Sequence, residues 1–174
     1  MVYLIEVVVC GEKSDGELDY LSNFLVENYK ETFKTNNENI KLFSQNVFPH
    51  FESKRPIIIF KNFYNLSIPH NNIPENSICI LNPQNLNAIN QLSNKNITAL
   101  SCGMSNKDTL NISSINYPKA VVSLQRTIKN IHNKTVEPKD IIIDLQNEYD
   151  PYSILASCAL FLLLQTKDTQ QFSI

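Results

Sequence analysis

Val2-Tyr-Leu-Ile-Glu-Val-Val-Val9 runs directly into Cys10-Gly-Glu-Lys-Ser-Asp-Gly16. The first stretch is apolar and β-branched, the composition of a strand. The second is short, polar and contains two glycines. A helical pattern follows, with Leu18, Leu21 and Leu25 on one face. Strand, glycine-containing loop and helix form the setting in which backbone N–H groups and a helix N-terminus cradle phosphate. The side chains of a working loop are missing. There is no GxxxxGK[ST], and Asp15 and Glu17 stand where a phosphate would meet positive charge.

Outward from this stretch the chain reads as an α/β protein. Ser14-Asp-Gly-Glu17 fits a capping box opening the first helix, which ends near Tyr29 to Phe33. Thr35 to Glu38 reads as a loop and Ile40 to Phe43 as a short strand. Pro56 to Phe60 and Ser77 to Leu81 are further buried strands of a parallel sheet. Between them, Asn62 to Asn76 is polar and reads as a loop. Pro83 is placed at a helix N1 position, ahead of a short helix over Asn85 to Leu92, and Ile97 to Cys102 is another strand. Beyond Gly103 the pattern alternates: Thr109 to Ile115, Val121 to Ile128 and Thr135 to Leu145 read as antiparallel strands with one wet face, His132-Asn-Lys134 being a turn. Asp150-Pro151 is an N-cap followed by an N1 proline. They open a strongly apolar last helix, and the polar residues from Gln165 onward read as a frayed end.

Composition bounds the function. At 174 residues this is a single domain over 1–174, large enough to bury roughly 70% of its unfolded surface without staples. A net charge of −2 argues against a nucleic-acid binder. No stretch reaches the ~18 apolar residues of a membrane span, and Ile154 to Leu164 reads as a core helix. The N-terminus lacks a basic region and cleavage site, so no signal peptide is expected. Cys10, Cys79, Cys102 and Cys158 are scattered without a CxxC pair. They read as structural thiols of a cytoplasmic protein.

Other constellations carry less. His50, His70 and His132 lie far apart in polar surroundings and read as exposed loop residues. No serine lies in GxSxG. Ser101 to Asp108 is the most unusual loop, at a strand end where open α/β sheets bind ligands. Asn106 and Asp108 equally suit a plain turn. Lys119, Arg126, Lys129, Lys134 and Lys139, offset by Asp140, Asp144 and Glu148, read as a solvated sheet face.

Ile80-Leu-Asn-Pro-Gln-Asn85, then Leu92, then Ile97-Thr-Ala-Leu-Ser-Cys-Gly103 resembles the "vlNaDdp…l…v.tfG" stretch of the Mur ligases and folylpolyglutamate synthetases. The family's antiparallel strands and "NalaA" helix match Asp108 to Ile115, the hairpin, and the helix from Tyr152. Val9 to Gly16 sits where the family carries TGTNGKT. The resemblance is to the central, ATP-binding domain alone and implies a mostly parallel sheet flanked by helices, with a small antiparallel extension near the C-terminus. It makes Gly11, Ser14, Gly16 and Asn82 the candidate cofactor-binding residues.

The departures set the functional expectation. Aligned on Gly11, the family's loop lysine falls on Asp15 and its hydroxyl residue on Gly16, while Lys13 is two positions early. The magnesium-holding Asn-x-x-x-Asp-His motif would fall near Asn62 to Ser67, where neither Asp nor His stands; His70 is close but out of place. The family's modified-lysine loop has no counterpart, and Gln84 and Asn85 replace acids of the adenine-side motif. Without these charges phosphoryl transfer loses its stabilisation. The expectation is a degenerate, non-catalytic domain acting as a binding or interaction module. It has no catalytic residue, metal or cofactor, and at most weak nucleotide binding. A small enzyme using ATP or another phosphate ligand through a divergent loop is the alternative. A domain without its neighbours exposes apolar faces, so a homodimer or a protein partner is expected. Asp108 to Leu145 is the expected contact, through an unpaired edge.

Overall fold

The structure, a computed structural model, describes residues 3–34, 38–45, 50–64 and 73–174. In chain order its elements are β1 (Tyr3–Cys10), α1 (Glu17–Asn28), α2 (Lys30–Phe33), β2 (Glu38–Gln45), β3 (Ile57–Phe60), β4 (Ile78–Leu81), α3 (Leu86–Leu92) and β5 (Thr98–Gly103). Then follow β6 (Leu110–Asn116), β7 (Lys119–Leu124), β8 (Ile128–Lys129), β9 (Thr135–Val136), β10 (Lys139–Asp144), α4 (Pro151–Leu164) and β11 (Gln171–Ser173). The protein is an α/β fold built on one sheet in the order β11-β10-β7-β6-β5-β4-β3-β1-β2, with β8 and β9 as a separate hairpin. From β2 to β6 all neighbours are parallel. The pairs β6–β7 and β7–β10 are antiparallel. The expected antiparallel extension therefore continues the main sheet.

Alternation along the parallel strands divides the core. Val7, Val9, Ile57, Ile59, Ile78 and Ile80 face α1 and α4. Val8, Cys10, Ile58, Phe60, Cys79 and Leu81 face Tyr64, Ile73 and Ala88 on the other side. α4 is buried all round from Tyr152 to Leu164, as a helix without a polar stripe must be. It lies against α1, β5 and β6. Asp150 caps it, accepting from Tyr152 N at 2.9 Å, with Pro151 opening the first turn.

Four expectations are corrected. The first helix starts at Glu17 with Gly16 at its N-cap and no side-chain cap; Ser14 is exposed and donates to Glu12 instead. Pro83 precedes the next helix, whose N-cap is Asn85, accepting from Ala88 N at 3.1 Å. The residues after Gln165 are ordered into β11. Phe172 and Ile174 are buried there, Phe172 stacks on Phe161 at 4.1 Å, and Tyr29 Oη accepts from Ser173 N at 2.8 Å. Two apolar residues suffice to bind this polar tail because β10 offers an open edge and α4 an aromatic face. His132 is not an exposed loop residue: its ring contacts Glu38 through Nδ1 at 3.2 Å and the Leu164 carbonyl through Nε2 at 3.1 Å. His50 is exposed. Most of the loop expected over Asn62 to Asn76, with His70 in it, lies outside the described residues, as do residues 35–37 of the loop expected before β2.

Candidate functional site

β1 and β3 are parallel neighbours with Cys10 opposite Phe60. The next residue of each, Gly11 and Lys61, therefore emerge side by side at the carboxyl end of the sheet. Gly11 adopts φ +150°, and a Cβ there would lie 2.7 Å from Lys61 Cβ. Both backbone angle and space demand glycine. Lys61 is 1% exposed. Its stem lies over Gly11 and its Nζ donates to the Glu12 carbonyl at 2.9 Å and to Asp19 Oδ2 at 2.7 Å. The loop amides are also engaged: Gly11 N donates to Gln45 O and Asp15 N to Glu12 O.

Carboxylates surround this single ammonium. Burial pushes the Asp15 carboxyl above its ordinary range; Lys61 opposes this, and Glu17, Asp150 and Asp19 reinforce it. Glu17 accepts from the Asp150 backbone N–H at 2.9 Å, tying the start of α1 to the start of α4. Gly16 has open space around its α-carbon.

Beside the loop, at the carboxyl ends of β4 and β5, lies a cleft of about 600 Å³. Its walls include Asn62, Asn82, Gln84, Lys107, Asp108 and Tyr152. Asn82 is fixed on both sides: Nδ2 donates to Asn62 Oδ1 at 2.8 Å, and Oδ1 accepts from Gln84 N at 2.9 Å. Asn62 Nδ2 donates on to Asp150 Oδ1 at 3.2 Å. Asp108 Oδ2 accepts from Ser105 N at 3.0 Å and presses on Gly103 so closely that no side chain fits there. The Ser101–Asp108 loop is thus both a turn and a cleft wall. Tyr152 donates to the Phe60 carbonyl, and burial holds its phenol well above the usual range. Met104 stands exposed on the cleft wall, and Phe63 and Leu86 stand exposed at a neighbouring hollow that shares Asn62 and Gln84 with the cleft.

Of the four candidate residues, Gly11, Ser14 and Gly16 lie in the loop and only Asn82 lines the cleft. Sequence reasoning missed Lys61. Its signal was a lone lysine directly after a fully buried strand. All four thiols are free and buried. Desolvation lifts Cys10 and Cys79 to about 12 and Cys102 and Cys158 well above the ordinary thiol range, so none is a thiolate at neutral pH. Among the described residues no group of three or more His, Cys, Asp or Glu is placed to hold a metal ion, and no helix is long and apolar enough to cross a membrane.

No family model matches the chain, and no curated protein matches it. Solved structures do. A murein peptide ligase from Psychrobacter arcticus 273-4 superposes with a TM-score of 0.54 at 10% identity, covering 92% of this chain and 44% of that one. The UDP-N-acetylmuramoylalanyl-D-glutamyl-2,6-diaminopimelate–D-alanyl-D-alanyl ligase from Acinetobacter baumannii gives 0.48 at 11% identity, covering 95% and 44%. The fold is Mur-ligase-like. The chain spans less than half the length of either ligase.

Proposed function

We propose that this chain is a degenerate Mur-ligase-like domain that works as a binding or interaction module and does not drive ligation with ATP. One observation carries the reading. Lys61, from the strand next to the loop, fills the place above Gly11 and is held there by Glu12 and Asp19. A phosphate cradle needs free amides and unpaired positive charge. Here two amides already donate within the protein, and Lys61, the one buried lysine or arginine among the described residues, is paired with Asp19. The cleft beside Asn82 lies open to a ligand next to the loop, and its amide-lined wall suits a neutral polar group better than a triphosphate.

A second reading has one observation in its favour. Lys61 is a cation at a phosphate loop, so a divergent enzyme could swing it out toward an anionic ligand. Titration calorimetry with ATP and Mg²⁺ separates the two. The module reading expects no binding at the loop at tens of micromolar protein, with no amide shifts centred on Gly11. A dissociation constant in the low micromolar range, about −8 kcal/mol, accompanied by shifts centred on Gly11 overturns it. Sedimentation at micromolar concentration tests the accompanying proposal of a homodimer or protein partner.

A further inference from the structure

β6 pairs with only the last two residues of β5, Cys102 and Gly103. Among the described residues, the other end of β5 has no strand on that side. The chain leaving β7 runs back past this gap: Gln125 N donates to Thr109 O at 2.9 Å, and residues 126–129 then flank Thr98 to Leu100. Between them lies a cavity of about 370 Å³, within the size range of small-molecule sites. It sits at the opposite end of β5 from the cleft containing Asn82.

The lining is one-signed. Arg55, Arg126 and Lys129 all border the cavity, with Thr98, Thr109 and Thr127, and no carboxylate among the described residues borders it. Among the described residues none of these three cations is in an ion pair, whereas Lys30, Lys41, Lys61, Lys119 and Lys139 are. The two arginines are steadied by neutral acceptors. Arg55 donates to Asn133 Oδ1 at 2.9 Å and to the Asn130 carbonyl at 3.4 Å, and Arg126 donates to the Lys107 carbonyl. Each keeps further N–H groups free of those bonds, since a guanidinium has five. Glu137 is engaged by Thr127 Oγ1 at 2.9 Å and does not line the cavity. Thr98 N donates toward β4; consecutive strand amides point to opposite edges, so the Ala99 N–H faces the cavity side.

We infer that this cavity is a binding site for a phosphate-bearing small anion. Two planar guanidinium forks match phosphate oxygens in pairs, a lysine adds a third charge, and the Thr98 and Thr109 hydroxyls supply neutral donors. The protein's net charge of −2 makes a local excess of three cations a feature of this site and not of the surface at large. The site is independent of the phosphate loop, and the proposed module function stands or falls without it.

Inorganic pyrophosphate is the probe, titrated calorimetrically into the full chain at low ionic strength, where exposed charges are least screened. The expected result is one site per chain, weakened at least tenfold in R126Q/K129Q and unchanged in K13Q/K167Q, which removes the same charge elsewhere. Amide shifts in the unaltered protein give a readout independent of variant folding. They are expected to concentrate at Ala99, Thr109 and Thr127. Absence of binding, equal weakening in both double variants, loss only in K13Q/K167Q, or shifts centred on Gly11 overturns the assignment.

Discussion

Removing Asp19 should expose what holds the loop closed. In the folded protein Asp19 Oδ2 is 2.7 Å from Lys61 Nζ; the lysine side chain is 1% exposed and the aspartate 21%. Asp19→Asn keeps the shape and leaves a buried ammonium facing only neutral acceptors, with no counter-charge. Breaking a buried pair from one side costs about 3–5 kcal/mol. The partial exposure of Asp19 puts this case at the lower end, about 3 kcal/mol. For a chain of this length that is a fall in melting temperature of roughly 6–12 °C. Lys61→Met/Asp19→Leu removes both charges, keeps an apolar stem over Gly11, and should return to within about 1 kcal/mol of the parent. Thermal unfolding followed by far-ultraviolet circular dichroism measures all three proteins. If Asp19→Asn melts within about 2 °C of the parent, or the double variant is worse than the single, the pair does not hold the loop and the reasoning fails.

Gly11→Ala should destabilise by about 2–4 kcal/mol, from a strained φ and a Cβ forced against Lys61. Gly16→Ala, in open space at φ −85°, should cost under about 1 kcal/mol in the same denaturation assay. Phe172→Ala should cost about 3–5 kcal/mol by removing the ring stacked on Phe161; a loss under 1 kcal/mol would show the tail to be dispensable. The Asp15 carboxyl, raised above its ordinary 3.8 by burial and its acidic neighbours, binds its proton more tightly folded than unfolded. Its contribution is fully present below pH 3.8 and is lost as pH rises through the raised folded value. Asp15→Asn should therefore be more stable than the parent at pH 7 and equal to it below pH 3.8; stability curves that stay parallel across this range would refute the assignment.

The parallel half of the sheet was legible because its strands are continuous β-branched runs bounded by polar residues. Pro56 to Phe60 and Ser77 to Leu81 can be little else. The last helix was legible from Asp150-Pro151 and its unbroken apolar run. The C-terminal strand was not: Phe172 and Ile174 alternate with polar residues over only three positions, and their burial depends on β10 and on Phe161, remote in sequence. The antiparallel segment looked like a source of free edges because strand order is not written in strand composition. In the sheet β6 and β7 have neighbours on both sides, β11 covers the end of β10, and among the described residues the long terminal strand is β2. Lys61 could not be placed from sequence for the same reason. Only the adjacency of β1 and β3 brings it to Gly11.

In the proposed reading that adjacency sets how the loop meets anions. A residue following β3 must emerge beside the residue following β1, and here the first is a lysine and the second a glycine without the Cβ that would block it. The two positions specify each other. To admit a phosphate, Lys61 must leave the Glu12 carbonyl and Asp19, two hydrogen bonds to a charged group worth about 1.5–3 kcal/mol each. The incoming anion must offset roughly 3–6 kcal/mol before it gains anything, which weakens binding by about 10²–10⁴. It must do so among Asp15, Glu17, Asp19 and Asp150, where each carboxylate within about 4 Å of a phosphate oxygen opposes it by up to about 4 kcal/mol near a protein surface. On the proposed reading, a loop with the outline of a phosphate cradle is closed by its own sheet neighbour.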